Sequence, residues 1–119
     1  MKLIHVIEDN QVFLEAMITF LIDIGYQAQG FTSAEAYICD MNDPFFNPPV
    51  LVLSDVDMPG MCGLELAQEV RKKSSGVTYM LMTGNPGQLK KPHLSDLKIE
   101  KVFNKPFQFS QLEDILENL

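Results

Sequence analysis

The chain has no tryptophan, two cysteines, and nine basic residues against sixteen acidic ones. A formal charge of −7 with no basic run argues against binding nucleic acid by itself, because such binding needs clustered Lys and Arg to displace counterions. Cys39 and Cys62 fit no metal-ligand spacing. With no signal-peptide pattern, they point to reduced thiols in a cytoplasmic protein. The first apolar stretch breaks at Glu8-Asp9, and later runs fall well short of the ~20 apolar residues that span a bilayer, so no membrane segment is expected. Internal repeats, low-complexity tracts and linkers are lacking too. The 119 residues read as one domain, 1–119, with an ordinary 46% hydrophobic content.

What is present is an alternation of two periodicities. Leu3–Ile7 reads as a buried strand, and Val12, Phe13, Ala16, Met17, Phe20, Leu21 and Ile24 follow at helical spacing, with Gly25 as the stop. A short strand is expected over Ala28–Phe31. Thr32 with Glu35 matches a capping box opening a second helix. Asn42–Pro49 reads as loop, Val50–Ser54 as a third strand, Gly63–Lys73 as a third helix and Val77–Met82 as a fourth strand. Pro86 and Pro92 leave little room for a regular helix within Gly84–Lys98. Val102-Phe103 is a short fifth strand, and Ser110 with Glu113 matches another capping box before Leu112, Ile115, Leu116 and Leu119. Strand and helix alternating five times predict an α/β domain with a five-stranded, doubly wound parallel sheet.

Right-handed crossovers bring all strand C-termini to one sheet edge, where ligands bind. Glu8-Asp9 closes the first strand, Asp55 the third, Thr83 the fourth and Lys105 the fifth. Three carboxylates meeting there repel one another unless a cation joins them, and hard oxygen donors with open positions suit Mg²⁺. Lys105 can pair with a carboxylate or phosphoryl oxygen, and Thr83 can donate a hydrogen bond. Such a set suits formation of an acyl phosphate on a carboxylate.

From Ile4 to about Leu116 the chain resembles the response-regulator receiver domains of two-component phosphorelays. The marks are Glu8-Asp9, Asp55-x-x-Met58-Pro59 with Gly63 eight residues after the Asp, Thr83, and Lys105-Pro106-Phe107. Each is common alone, and their order and spacing together are specific. The resemblance implies the flavodoxin-like receiver fold with Asp55 as phosphoacceptor. Asp9 would ligate Mg²⁺ directly, Glu8 mainly through water, and Asp57 through its backbone carbonyl, while Thr83 and Lys105 would hold phosphoryl oxygens. The implied donor is a histidine kinase or phosphotransfer protein. The domain itself would catalyse transfer to its own Asp55 and the hydrolysis that ends the signal, without being a conventional turnover enzyme. The implied output is a change of affinity for a partner protein or for an effector domain outside this chain.

Three positions depart from the family pattern. Val102 stands where an aromatic is usual, and Phe103 cannot replace it because adjacent strand residues face opposite sides. The usual Thr–aromatic coupling is therefore not carried over. The proline-bearing Asn85–Lys98 stretch replaces a regular fourth helix, a surface that commonly mediates dimerisation or output, and predicts an unusual partner mode, homodimer included. Gly84 leaves the pocket more open than the commoner Ala. Asp57 and Asn85, each two residues beyond a site residue, are expected to tune phosphoform lifetime.

Blander readings apply elsewhere. His5 reads as a core histidine and His93 as solvated. Met58, Met61, Met80 and Met82 read as packing. Lys72-Lys73 and Lys90-Lys91 read as solvated charge. The competing function is a pseudo-receiver, a protein-interaction module that switches without phosphate. A flavodoxin-like cofactor binder would need a phosphate-cradling loop after the first strand, where Glu8-Asp9 would repel phosphate. A haloacid-dehalogenase-like phosphatase would need its nucleophilic Asp on that first strand.

Overall fold

A computed structural model describes residues 1–119. Five strands, β1 (Leu3–Ile7), β2 (Gln27–Phe31), β3 (Leu51–Asp55), β4 (Thr78–Thr83) and β5 (Ile99–Asn104), form one sheet in the order β2-β1-β3-β4-β5. Every pairing is parallel. The connections carry α1 (Gln11–Asp23), α2 (Ala34–Met41), α3 (Gly63–Lys73), a 3₁₀ turn at Pro86–Gln88, and α4 (Lys91–Asp96), with α5 (Phe109–Leu116) closing the chain.

The sheet separates two apolar layers, as a doubly wound fold requires. Ile4, Val6, Leu53, Met80, Met82 and Phe103 pack against Leu14, Met17 and Leu21 of α1 and Leu112 and Leu116 of α5. Ile7, Val52, Tyr79 and Leu81 pack on the other face against Tyr37 of α2, Leu66, Ala67 and Val70 of α3, and Leu97. Met58, Met80 and Met82 are buried packing residues, as expected.

Helix ends follow local chemistry. Asn10 caps α1 by accepting from the Phe13 amide at 3.1 Å, and Gly25 takes the positive φ (102°) that ends it. The second helix is capped by Ser33, not Thr32: Ser33 is extended (φ −154°, ψ 157°) and accepts from the Ala36 amide at 3.0 Å. Glu35 turns away and accepts from the Met61 amide at 3.0 Å, bracing the loop after β3. The last helix likewise starts earlier than the Ser110–Glu113 pair suggested. Gln111 accepts from the Gln108 amide at 3.2 Å, and Phe109 is drawn into a ring cluster with Phe20 (5.0 Å) and Phe13 (5.9 Å).

The Asn85–Lys98 stretch is short and broken, as the prolines required. Pro92 sits in the first turn of α4, where no amide is needed, so it starts a six-residue helix instead of interrupting one. Arg71 of α3 pins its exit, donating to the carbonyls of Leu97 at 2.8 Å and Lys98 at 3.1 Å. The fifth strand is longer than Val102-Phe103: as an edge strand it carries the exposed Glu100 and Lys101, which interrupt its apolar signal.

Candidate functional site

The strand order reverses between β1 and β3, and the crevice at that switch point is where this topology binds ligands. Both sides of it are acidic. Asp55 is the last residue of β3, paired with Met82 and buried. Glu8 follows β1 and is also buried, whereas Asp9 is exposed. One carboxylate oxygen from each of Glu8, Asp9 and Asp55 lies within 4.8 Å of the others. Hard oxygen donors at that spacing, one of them solvent-facing, fit a divalent ion that keeps several waters, as Mg²⁺ does.

Lys105 follows β5 and reaches across to this group. Its Nζ bonds Glu8 Oε1 and lies 3.4 Å from Asp55 Oδ1, with the Phe13 ring centroid 4.7 Å away. The Lys105 amide donates to the Thr83 carbonyl at 2.8 Å, so β4 fixes where the lysine starts. Glu8 is satisfied at both oxygens, because Oε2 accepts from the Asn10 amide at 3.1 Å. Burial, then the Glu8 carboxylate, push the Asp55 carboxyl up to about 7 against the pull of Lys105.

Gly63 explains its fixed distance from Asp55. A Cβ there would stand 2.3 Å from the Asp55 carbonyl oxygen, so only glycine lets α3 begin against the strand end. The Gly63 amide donates to the Val56 carbonyl at 3.1 Å, and the buried Tyr79 hydroxyl donates to the Gly63 carbonyl at 2.9 Å.

Thr83 is buried at the end of β4, next to Met82, the residue that pairs with Asp55. Its hydroxyl donates to Asp57 Oδ2 at 3.0 Å and accepts from the Asn85 amide at 3.0 Å. The Asp57 carboxylate is thus engaged with Thr83, and the clustered carboxylates are those of Glu8, Asp9 and Asp55. Val102 is half-buried and packs with the α2–α3 layer, whereas Phe103 is buried in the α1–α5 layer. The two residues do face opposite sides of β5.

Four of the residues read from the sequence, Glu8, Asp9, Asp55 and Lys105, therefore meet at one crevice, and Thr83 and Asp57 stand bonded to each other beside it. Phe13 under the Lys105 ammonium was read only as helix-face core, since helical spacing gives no sign of a ring under a cation. Asn10 carried a legible signal, an Asn directly before a periodic apolar run.

Fold and crevice together define a cluster of carboxylates with one lysine at the switch point of a doubly wound sheet. The family model for the response regulator receiver domain matches residues 4–117, and the chain belongs to that family. It is 29% identical over 120 residues to the response regulator receiver protein CpdR of Brucella abortus, covering 100% of this chain and 97% of that one. It is 26% identical to the transcriptional regulatory protein FixJ of Bradyrhizobium diazoefficiens over 97% of this chain but only 55% of that protein. Among solved structures, TrrA of Thermotoga maritima in complex with Mg(2+)-BeF superposes with a TM-score of 0.83 at 28% identity, covering 99% and 98% of the two chains. A receiver protein from Pseudomonas putida superposes at 0.88 with 22% identity over 99% and 97%, which shows the shared fold. No helix is long and apolar enough to cross a membrane.

Proposed function

We propose that Asp55 accepts a phosphoryl group from the phosphohistidine of a histidine kinase or phosphotransfer protein. An Asp55 oxygen forms the new P–O bond as the P–N bond breaks, and the leaving imidazole keeps its electron pair. The observation that carries this reading is Lys105 bridging Glu8 and Asp55 beside the solvent-facing Asp9. Glu8, Asp9 and Asp55, with the Asp57 backbone carbonyl, would hold Mg²⁺, which when bound neutralises the carboxylates and the charge developing on the phosphoryl oxygens.

The residues divide the remaining work. Asp55 sits in a desolvated strand end that holds it in line and keeps bulk water from competing. Lys105 has a partner to exchange: its ammonium can pass from Glu8 to a phosphoryl oxygen, and the bound cation would then neutralise the Glu8 carboxylate. Glu8, whose Oε2 is held by the Asn10 amide, would act on the cation mainly through ordered water. Thr83 supplies one hydroxyl proton to a phosphoryl oxygen.

The output is a population shift read by a partner protein or effector domain in a cytoplasmic signalling route. The net charge of −7 leaves nucleic acid to that partner. Treatment with acetyl phosphate, with Mg²⁺ and with excess chelator, followed by intact-protein mass, tests the reading. A Mg²⁺-dependent gain of one phosphoryl group that Asp55→Asn abolishes is expected. No gain in the folded protein, and no binding of beryllofluoride either, would overturn it in favour of a phosphate-independent interaction module.

A further inference from the structure

The Thr83 hydroxyl has a single proton, and the resting structure has already committed it. A carboxylate only accepts, so the 3.0 Å contact between Thr83 Oγ1 and Asp57 Oδ2 runs from threonine to aspartate. The hydroxyl oxygen meanwhile accepts from the Asn85 amide at 3.0 Å, which ties the first residues of the β4–α4 loop to the same rotamer. Thr83 is buried while Asp57 and Asn85 are exposed, so the hydroxyl is held from the solvent side of the crevice. A phosphoryl group on Asp55 would bring three acceptor oxygens that need this proton. It cannot serve both.

We propose that the Asp57 side chain is a positioning residue, a latch that competes with the Asp55 phosphoryl group for the Thr83 hydroxyl proton and so sets how readily the site is loaded. The inference rests on the receiver reading and deepens it. Loading Asp55 redirects the Thr83 O–H from Asp57 to a phosphoryl oxygen, and as the Thr83 side chain swings to make that bond the Asn85 amide must follow or lose its acceptor. The Asp57–Thr83 bond therefore couples occupancy of Asp55 to the loop that leads into α4. The Asp57 and Asn85 contacts together hold the unloaded rotamer of Thr83, and of the two only the Asp57 contact uses the hydroxyl proton.

The experiment measures beryllofluoride affinity in the presence of Mg²⁺ for the wild type, Asp57→Ala, Asp57→Asn, Thr83→Val and Asp57→Ala/Thr83→Val. A competing hydrogen bond of ordinary net strength predicts that Asp57→Ala tightens binding roughly three- to tenfold. Asp57→Asn keeps an acceptor and should stay nearer the wild type. In the Thr83→Val background there is no proton to compete for, so Asp57→Ala should have little further effect. The second readout is the Asn85 amide resonance, which in ligand-free Asp57→Ala should move toward its position in the beryllofluoride-bound wild type. The latch is overturned if Asp57→Ala and Asp57→Asn tighten binding equally and do so in both backgrounds, since that is relief of charge repulsion. An Asn85 resonance unmoved by Asp57→Ala overturns it as well. Failure of the wild type to bind beryllofluoride would instead overturn the receiver reading and the latch with it.

Discussion

Lys105 Nζ stands 3.4 Å from Asp55 Oδ1, yet the Asp55 carboxyl still titrates near neutrality, at about 7. Burial and the Glu8 carboxylate outweigh the lysine, whose nearer partner is Glu8. The site thus carries an electrostatic cost in the absence of a bound cation, and that cost has a pH signature.

Asp55→Asn is expected to stabilise the ion-free protein. A carboxyl raised in the folded state destabilises folding as pH climbs from its unfolded value near 4, with the full cost present above about 7. The gain from Asn should therefore be small at pH 4.5, grow through neutrality and level off near pH 8, reaching about 1 kcal/mol or more, the scale typical of relieving a functional site. Urea midpoints across that range, in chelator, measure it. Adding Mg²⁺ should raise the wild-type midpoint more than the variant's, by linkage. A pH-independent difference would contradict the account.

Gly63→Ala should be severe for one methyl group. The added Cβ meets the Asp55 carbonyl oxygen at 2.3 Å, a backbone atom that cannot rotate away. Overpacking usually costs about 1–3 kcal/mol, and this contact belongs at or beyond the top of that range. Displacement of Asp55 should lower the rate of phosphorylation by acetyl phosphate even where the variant remains folded. Gly84→Ala is the control, since a Cβ there meets nothing within 4 Å.

His5 is expected to make the fold acid-sensitive, independently of the site. It is fully buried, its Nδ1 lies 2.9 Å from the Tyr37 hydroxyl, and Phe31, Tyr37 and Phe46 surround it edge-on. Burial lowers it to about 4, with Asp40 opposing weakly. The folded value lies below the unfolded one, so stability is full above about 6.5 and falls as pH drops toward 4, by roughly 3 kcal/mol in total. His5→Phe leaves the Tyr37 hydroxyl unpaired and should be less stable near pH 7.5, but its stability should decline less between pH 6.5 and 4.5. Parallel curves for the two proteins would refute the assignment.

Arg71→Met should loosen the corner between α4 and β5. The methionine keeps the packed stem and removes donors to the carbonyls of Leu97 and Lys98, where Lys98 already holds a left-handed φ of 56°. Charged donors to such carbonyls contribute about 1.5–3 kcal/mol each at most, and a net loss near 2 kcal/mol is expected. Hydrogen exchange should rise at residues 97–101 before it rises in β1 or β3.

The inner strands are legible because buried parallel strands read as mostly apolar runs, and β1 and β3 are such runs, broken only by His5 and by the terminal Ser54-Asp55. Strand β5 extends beyond Val102-Phe103 because an edge strand tolerates the exposed Glu100 and Lys101, where the register against β4 shifts by one residue. Both caps are misplaced because the Ser/Thr-x-x-Glu pattern falls on Thr32 and Ser110, whereas the helices begin after Ser33 and Gln108, neither of which fits it. Ser33 won over Thr32 by its extended backbone, and the Phe109 ring cluster started α5 ahead of Ser110.

Fold and crevice membership follow from residue order alone, since alternating periodicities admit few topologies and right-handed crossovers put every strand end on one edge. How those members pair does not follow from residue order. That Lys105 bonds Glu8 more closely than Asp55, that Gly63 touches the Asp55 carbonyl, and that the Thr83 proton goes to Asp57 are matters of ångströms between segments far apart in the chain. Spacing along a sequence fixes which residues can meet. The distances at which they meet, and so which charge takes which proton, are set by the packing of helices against the sheet.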